Sequence, residues 1–340
     1  MILEIESRTE RQDDVDRRRF IQIGAGTLVG TLLNGCEHRL PAHRSASPSS
    51  GEMTDVEFEL NRQFVTTTQG RIAYIEQGRG EALLLLHGFP LNSFQWRGLI
   101  PRLSAHRRCL APDFLALGYT EVAEGQSVTP DAQVAMLVQF LDKLSISAVD
   151  IIANDSGGAI AQLFITRHSE RVRTLLLTNC DTEPDSPPPA VLPVIELARN
   201  GKYADEWLVP WLANKALARS EKGLGGLCYA DPTHLTDVAI EIYLCPLVSS
   251  PLRKAQTNAY AIGLDPNPLA GIENALKHCT VPIRVVWGMA DNIFSHASPD
   301  YLDRILANSR GVRRIAGAKL FFPEEMPELV AEEAMRLWGL

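Results

Sequence analysis

The sequence predicts an α/β domain in which helices flank a mostly parallel sheet and a helical cap is inserted. Three observations support this class. From residue 57, apolar runs of strand length alternate with segments of helical periodicity. The run ALLLLHG is apolar almost throughout, as in a strand buried on both faces. The alternation stops after residue 181 and returns at 278, which assigns residues 182–277 to the cap.

The core, predicted at 57–181 and 278–340, begins with a hairpin. Its strands are FELNRQFVTT (58–67) and RIAYIEQG (71–78), joined by a turn at Gln69 and Gly70. Further strands are predicted at 82–88, 107–113, 149–155, 172–179, 281–288 and 312–317. Helices are predicted at 93–104, 129–145, 157–168, 298–309 and 327–340.

The charge of the chain argues against one class of partner. The 33 basic and 41 acidic side chains give a net charge of −8, and no basic block or stripe is present. Nucleic acid is therefore excluded as a predicted partner. Because 45% of the residues are hydrophobic, we expect a globular protein with a substantial core.

Residues 1–36 have the features of an export signal. Arginines at 17–19 precede a short apolar run that ends before Cys36. The paired arginines resemble a twin-arginine signal, and LLNGC resembles a lipobox whose cysteine is acylated. We therefore predict a periplasmic protein, either released or tethered to the membrane through Cys36. Residues 37–56 are predicted to form a flexible linker.

The six cysteines do not form a metal-binding pattern, because none of them belongs to a Cys-x-x-Cys pair. We predict no metal or organic cofactor. Most of the thiols are expected to be small buried hydrophobic side chains. The sequence leaves open whether Cys228, Cys245 and Cys279 pair in an oxidising periplasm.

The stretch VDIIANDSGGAIAQLF at 149–164 has the pattern of a nucleophile elbow, a sharp turn from a strand into a helix. Small residues are needed around the nucleophile because the helix start packs closely against its neighbours. With Asp155 as the nucleophile, every flanking position is small. With Ser156 as the nucleophile, the larger Asn154 takes the leading position. The pattern therefore favours Asp155 and retains Ser156 as the alternative.

Four motifs resemble the α/β-hydrolase superfamily, in the branch of haloalkane and haloacetate dehalogenases and epoxide hydrolases. They are HGFP at 87–90, APDFLALGYT at 111–120, the elbow at 153–158 and WGMADNIFS at 287–295. Their order and spacing match that branch over residues 57–340. Together they indicate the fold more strongly than any one of them does alone.

The resemblance implies roles for particular residues. Asp155 would attack carbon and form a covalent ester, and the backbone amides of Phe89 and Ser156 would form the oxyanion hole. His87 and Trp96 are assigned to the substrate pocket. A small-molecule substrate is the implied partner.

The resemblance also implies an acid that follows a strand. Asp291, in GMAD after the strand at 281–288, holds that position. Asp181 follows the strand at 172–179, where some dehalogenases carry their acid, and is the reserve candidate.

The general base departs from the family pattern. The family has a histidine shortly before the last helix, whereas this chain has Lys319 and Leu320 there, and no histidine follows His296. A base is needed because water must hydrolyse the covalent ester. The candidates are Lys319, if burial lowers its pKa, and His296, if it turns toward the elbow.

The substrate class remains open between several electrophiles. Phe89 and Ser156 stand where haloalkane dehalogenases commonly carry asparagine and tryptophan, which argues against simple alkyl halides. Epoxide hydrolases use two cap tyrosines, and tyrosines that could play this part are available in the cap at 203, 229, 243 and 260. An ester or lactone is the third class, attacked through Ser156 in the alternative register.

We therefore predict a hydrolase that acts on a small, mainly apolar ester, lactone or epoxide. The alternatives are a dehalogenase and a catalytically silent relative that binds a small apolar ligand under the cap. A lipid-anchored structural module is a third alternative, supported only by Cys36.

Overall fold

The computed structural model describes residues 51–340. Their eight strands form one sheet in the order β1-β2-β4-β3-β5-β6-β7-β8. Strands β1 and β2 are antiparallel to their neighbours, and the remaining strands pair in parallel. This confirms the predicted fold class. The strands are β1 Arg62–Thr67, β2 Gly70–Gln77, β3 Ala82–Leu86, β4 Arg108–Pro112, β5 Val149–Asp155, β6 Val172–Cys180, β7 Ile283–Gly288 and β8 Ser309–Ile315.

Helices cover the sheet and form the inserted segment. Those of the core are α1 Asp55–Asn61, α2 Leu99–Leu103, α3 Pro130–Lys143, α4 Ser156–Arg167, α12 Ser298–Ile305, α13 Phe322–Glu325 and α14 Pro327–Trp338. Those between β6 and β7 are α5 Leu192–Arg199, α6 Val209–Ala213, α7 Lys215–Arg219, α8 Leu224–Cys228, α9 Asp237–Val248, α10 Pro251–Ile262 and α11 Glu273–His278. A π-helical turn at Ala204–Leu208 precedes α6. Short 3₁₀ turns occupy Ser93–Trp96, Ser169–Arg171, Pro189–Val191 and Pro232–His234.

The centre of the sheet follows from its apolar strands. Every residue of β3 and β5 is buried, as expected for parallel strands that are covered on both faces. The carboxyl ends of β3, β5, β6 and β7 lie at one edge of the sheet, since these four strands run in parallel. Ligands of open α/β sheets bind at that edge.

The predicted first strand was wrong at its beginning. Residues 58–61 belong to α1, and the hairpin starts at Arg62. The physical reason is a capping box: the Thr54 side chain accepts from the Glu57 amide, and the Glu57 carboxylate accepts from the Thr54 amide. Asp55 and Val56, placed in the predicted linker, also belong to this helix.

A buried polar network joins the cap to the core. Glu324 of α13 accepts from Tyr229 Oη at 2.6 Å, from Tyr243 Oη at 3.0 Å and from the Arg97 guanidinium. Arg97 Nη1 also donates to Tyr243 Oη at 3.1 Å. Glu324 is only 4% exposed, so these three partners replace the water that would otherwise stabilise its carboxylate.

The predicted export signal, the acylated Cys36 and the linker up to residue 50 lie outside the described residues. Within residues 51–340, no disulfide joins two cysteines. No helix in this part of the chain has both the length and the apolar character to cross a membrane.

Candidate active site

The elbow forms where the sequence predicts it. Strand β5 ends at Asp155, whose φ of 55° lies in the left-handed region, and α4 begins at the next residue. A Cβ on Gly157 would lie 2.5 Å from Leu86 O, and one on Gly158 would lie 2.3 Å from Cys180 Cβ. The turn therefore requires glycine at both positions, and Asp155 is the residue in the strained conformation.

Two main-chain amides bind the Asp155 carboxylate. Its Oδ1 accepts from the Phe89 amide at 2.9 Å and from the Ser156 amide at 2.6 Å. The loop after β3 approaches closely, since a Cβ on Gly88 would lie 2.7 Å from Asp155 Cβ. The two predicted oxyanion donors thus converge on one oxygen of the elbow residue itself.

Burial and hydrogen bonding act on Asp155 in opposite directions. Burial disfavours the charged carboxylate and raises its pKa, while the amides of Ser156 and Phe89 lower it. Burial dominates, so the pKa of Asp155 lies above its usual range. The two amides replace part of the stabilisation that water gives a carboxylate in solution.

Ser156 has different surroundings from Asp155. It is the first residue of α4, and its Oγ lies 3.0 Å from Tyr260 Oη. Asn154, which precedes the elbow, is fully buried: its Oδ1 accepts from Gln95 Nε2 at 2.7 Å, and its Nδ2 donates to Thr178 Oγ1 at 2.8 Å. Asn154 thus connects the elbow to the 3₁₀ turn at Ser93–Trp96 and to β6.

An aromatic cluster stands above the elbow. The Phe89 ring stacks on Tyr260 with centroids 5.1 Å apart and contacts Tyr203 at 5.6 Å. Burial raises the pKa of both phenols, and the Asp155 charge raises each further. Both tyrosines therefore keep their protons at neutral pH and can donate hydrogen bonds.

Asp291 lies in the loop after β7 and is fully buried. Its Oδ2 accepts from Asn179 Nδ2 and its Oδ1 from the Ile293 amide, both at 2.8 Å. Burial, opposed by these hydrogen bonds, raises the pKa of Asp291 to about 6. Sequence reasoning missed Asn179, although its position at the end of an apolar strand was a usable signal.

Asp181 follows β6 directly and is also buried. Its Oδ1 accepts from Ser186 Oγ at 2.9 Å. Burial, followed by the nearby charge of Asp155, raises the pKa of Asp181 to about 8. Asp155 pairs with Cys180 of the neighbouring strand β6. Asp155 and Asp181 are therefore found at the carboxyl ends of two adjacent strands.

The two base candidates have other partners. Lys319 Nζ donates to Gly226 O at 2.6 Å. His296 is exposed, and its Nε2 lies 2.8 Å from the backbone oxygen of Asp291 rather than from the carboxylate. Leu320, beside Lys319, is buried. Neither candidate contacts the Asp155 carboxylate in the described part of the chain.

The two residues assigned to the substrate pocket are packed into the core. His87 is fully buried, with Nδ1 2.9 Å from Gly88 O and Nε2 accepting from the Phe114 amide at 3.1 Å. Burial lowers its pKa, so the ring is neutral and supports the loop. Trp96 is also fully buried. A substrate cannot reach either ring without displacing this packing.

Two unpredicted residues lie beside the elbow. The Phe321 ring would be 3.0 Å from a Cβ on Gly88, and its amide donates to Cys228 O at 2.9 Å. Burial raises the pKa of the Cys228 thiol, and the charges of Asp291 and Asp155 add to this. Cys228 ends a cap helix, so only the folded chain brings it to the site.

A small cavity lies beside Ser156, on the helical side of the elbow. This cavity of about 10 Å³, enough for roughly one water molecule, adjoins Ser156 and Tyr260. A wider surface hollow of about 540 Å³ lies along α10 and shares Val128 with that cavity. The cavity beside Ser156 therefore has no room for a ligand larger than water.

The sheet, the elbow and the inserted helices define a protein of the α/β-hydrolase type. Residues 81–325 match the family model described as alpha/beta hydrolase fold. The chain belongs to this family.

Several known proteins are similar to parts of the chain. Haloalkane dehalogenase 2 of Mycobacterium bovis is 31% identical over 122 residues, covering 36% of this chain and 43% of the relative. Bifunctional epoxide hydrolase 2 of Rattus norvegicus is 32% identical over 165 residues, covering 48% of this chain and 30% of the relative. The chain thus matches less than half the length of these relatives.

Solved structures resemble nearly the whole described fold. An epoxide hydrolase without ligand superposes with a TM-score of 0.67 and 20% identity, over 82% of this chain and 98% of that one. A haloalkane dehalogenase from Bradyrhizobium elkani gives 0.66 and 22% identity, over 82% and 97%. At these identities the likeness is one of fold.

Proposed function

We propose that this protein is a hydrolase in which Asp155 attacks a small, mainly apolar electrophile. The observation that carries this proposal is the position of Asp155 Oδ1, held by the amides of Phe89 and Ser156. With that oxygen bound, Oδ2 is the oxygen that attacks carbon. The bound oxygen becomes the ester carbonyl, and the same two amides stabilise it when water adds.

The same observation argues against Ser156 as the nucleophile. A serine mechanism needs the two amides for the oxygen of the substrate. Here the Asp155 carboxylate occupies them, and the Ser156 hydroxyl is 3.0 Å from Tyr260 Oη. In our proposal Ser156 contributes its amide and orients Tyr260.

Among the candidate electrophiles, an epoxide suits the surroundings of Asp155 best. Opening an epoxide leaves negative charge on oxygen, which the protonated hydroxyls of Tyr203 and Tyr260 can stabilise. One similar protein is named an epoxide hydrolase and another a haloalkane dehalogenase. The side chains of Phe89 and Ser156 have no N–H group that could donate to a leaving halide. The site therefore supports epoxide opening better than dehalogenation.

The test is covalent trapping. The protein is mixed with small apolar epoxides, esters and lactones, quenched within seconds and examined by intact mass, and the modified peptide is sequenced. We expect an epoxide adduct on Asp155 that forms in Ser156→Ala and is lost in Asp155→Ala. An adduct on Ser156, retained in Asp155→Ala, would reverse the assignment.

A catalytically silent ligand-binding protein is the second candidate. It is favoured by Leu320 and Lys319, which stand where the family has its histidine. This candidate predicts that small apolar molecules raise the melting temperature without forming an adduct or product.

We also propose that the chain is exported and tethered through acylated Cys36. The support is the sequence alone, with three arginines at 17–19 ahead of an apolar run that ends at this cysteine. Expression of the full chain in a Gram-negative host, followed by membrane fractionation, tests it. The tether predicts membrane retention that Cys36→Ala abolishes, and retention unchanged in that variant would contradict it.

A further inference from the structure

The absent histidine raises the question of which group moves the proton. Three side chains with suitable chemistry near the elbow are already engaged. Lys319 is bound to Gly226 O, exposed His296 to the backbone of Asp291, and both His87 nitrogens to backbone groups. A replacement should be a buried proton-transferring group at the strand ends beside Asp155.

Asp181 meets this requirement by its place in the sheet. Strands β5 and β6 are parallel neighbours, and Asp155 pairs directly with Cys180, the residue before Asp181. Adjacent strands lie about 4.8 Å apart, so Asp181 directly follows the strand end that lies beside Asp155 at the carboxyl edge. Asp181 is buried, and the charge of Asp155 raises its pKa.

The groups around Asp181 come from several elements. Ser186 donates to its Oδ1, and Gln162 Nε2 of α4 donates to its backbone oxygen at 2.8 Å. The titratable groups that face it are the carboxylates of Asp155 and Asp185, the thiol of Cys180 and the phenol of Tyr260. No cation is among these partners, so the Asp181 charge lacks an opposite charge here.

We propose that Asp181 does the work of the missing histidine, first as the proton source for ring opening and then as the base that activates water. This inference rests on the proposed function of Asp155. In the resemblance described above, this position after β6 carries the acid of some dehalogenases, which also have the histidine. Here the carboxyl group itself would transfer the proton.

The first step opens the epoxide. Asp155 Oδ2 forms a bond to a ring carbon while the bond between that carbon and the ring oxygen breaks. The ring oxygen takes the proton of Tyr260 Oη, and Tyr260 recovers a proton from Asp181. The step ends with a neutral ester at Asp155, a new hydroxyl on the substrate and Asp181 as carboxylate.

The second step hydrolyses the ester. Asp181 takes a proton from water, and the resulting hydroxide adds to Asp155 Cγ while the amides of Phe89 and Ser156 hold Oδ1. Collapse of this intermediate breaks the bond to the alkyl oxygen, which leaves with the proton of the added hydroxyl. Asp155 is again a carboxylate and Asp181 again carries its proton.

The two roles are compatible because the first step removes a charge. In the free protein, burial and then the Asp155 charge hold the pKa of Asp181 at about 8, so at neutral pH it is protonated and able to donate. Esterification makes Asp155 neutral, which lowers the pKa of Asp181 and favours the carboxylate needed for the second step.

The test compares adduct formation with adduct hydrolysis in Asp181→Asn. We expect an Asp155 adduct that accumulates and is hydrolysed about 100-fold more slowly than in the native protein, in the range typical of general acid–base catalysis. The control is Asp142→Asn, the same change at a surface carboxylate that pairs with Arg171, which should hydrolyse the adduct at the native rate. Hydrolysis in Asp181→Asn as fast as in the control would overturn the proposal.

A second variant keeps the test independent of the folding of Asp181→Asn. Ser186→Ala removes the hydroxyl that lowers the pKa of Asp181, so the pH at which adduct hydrolysis reaches half its maximum should rise. An unchanged profile would count against Asp181 as the base. If no adduct forms on Asp155 in the native protein, the proposed function itself fails, which is a distinguishable result.

Discussion

The amide of Phe89 lies 2.9 Å from Asp155 Oδ1, although 66 positions separate the two residues in the chain. This contact brings the loop after β3 to the elbow after β5, because the two strands are adjacent in the sheet. It also means that the oxyanion donors already bind the residue that we propose as nucleophile. The site is therefore organised before a substrate arrives.

The close approach at Gly88 leads to the first prediction. Gly88→Ala would place a methyl group 2.7 Å from Asp155 Cβ, so the loop must move and the Phe89 amide must leave Oδ1. We expect adduct formation to fall by 10²-fold or more, at about the loss seen for one oxyanion donor. Single-turnover kinetics measure this.

Gly263→Ala is the matched control for Gly88→Ala. A Cβ at Gly263 would be 3.3 Å from its nearest atom, Tyr260 O, which demands only a small adjustment. We expect near-native adduct formation in this variant. Equal rates for the two variants would show that the approach of the loop is not needed.

The second prediction concerns the Tyr260 hydroxyl. Tyr260→Phe keeps the ring that stacks on Phe89 but removes the oxygen that lies 3.0 Å from Ser156 Oγ. We expect ring opening to slow by about 10² to 10⁴-fold, as for loss of a general acid, with little change in melting temperature. Steady-state kinetics on an epoxide and a thermal melt provide the measurements.

Tyr301→Phe is the control for this change. The Tyr301 hydroxyl contacts Glu273 at 3.2 Å, and the ring lies on α12. Its loss should not slow ring opening. If Tyr260→Phe is as active as Tyr301→Phe, the phenol does not protonate the substrate.

The third prediction follows from the raised pKa values of Asp181 and Asp291. An acid whose pKa is higher in the folded protein contributes stability that is complete below the unfolded pKa of about 3.9. That contribution is lost as the pH rises through about 6 for Asp291 and about 8 for Asp181. These two groups should therefore make the free energy of unfolding fall between pH 4 and pH 8.

Urea denaturation at a series of pH values measures this effect. Asp181→Asn removes one of the two titrations, so its decline above pH 6 should be shallower than that of the native protein. An identical pH dependence in both proteins would contradict the raised pKa of Asp181.

The fourth prediction concerns the polar network between cap and core. Glu324→Gln removes the charge opposite buried Arg97 and should lower the free energy of unfolding by about 3 to 5 kcal/mol. Glu328, which pairs with Arg102 at the surface, is the control, since loss of an exposed pair costs about 1 kcal/mol or less. Chemical denaturation distinguishes the two, and equal losses would contradict the structural role of the network.

The sequence was a good guide where local pattern and position coincide. The apolar strands and the small residues after Asp155 are both visible as short-range features. The start of the hairpin was misassigned because Thr54 and Glu57 form a capping box, which outweighs the strand-like composition of the next residues.

The parts of the site that sequence did not reveal depend on distant contacts. His87 was assigned to the substrate pocket, yet both of its ring nitrogens contact the backbone. Its Nε2 accepts from the Phe114 amide, and its Nδ1 contacts Gly88 O. Cys228 reaches the elbow only because the cap folds back on the core, where Phe321 binds its carbonyl. Asp181 lies close to the end of β5 because its own strand, β6, pairs with β5. A linear sequence pattern does not show this pairing.

One measurement tests the central claim most directly. The protein, in excess over an epoxide, completes a single turnover in water enriched in ¹⁸O, and both the Asp155 peptide and the product are then analysed by mass. Because water attacks the ester at Asp155 Cγ, our account predicts ¹⁸O in the Asp155 carboxylate and none in the first diol molecule formed. Label in the diol with an unlabelled Asp155 peptide would show that water attacks the substrate directly and that Asp155 is not the nucleophile.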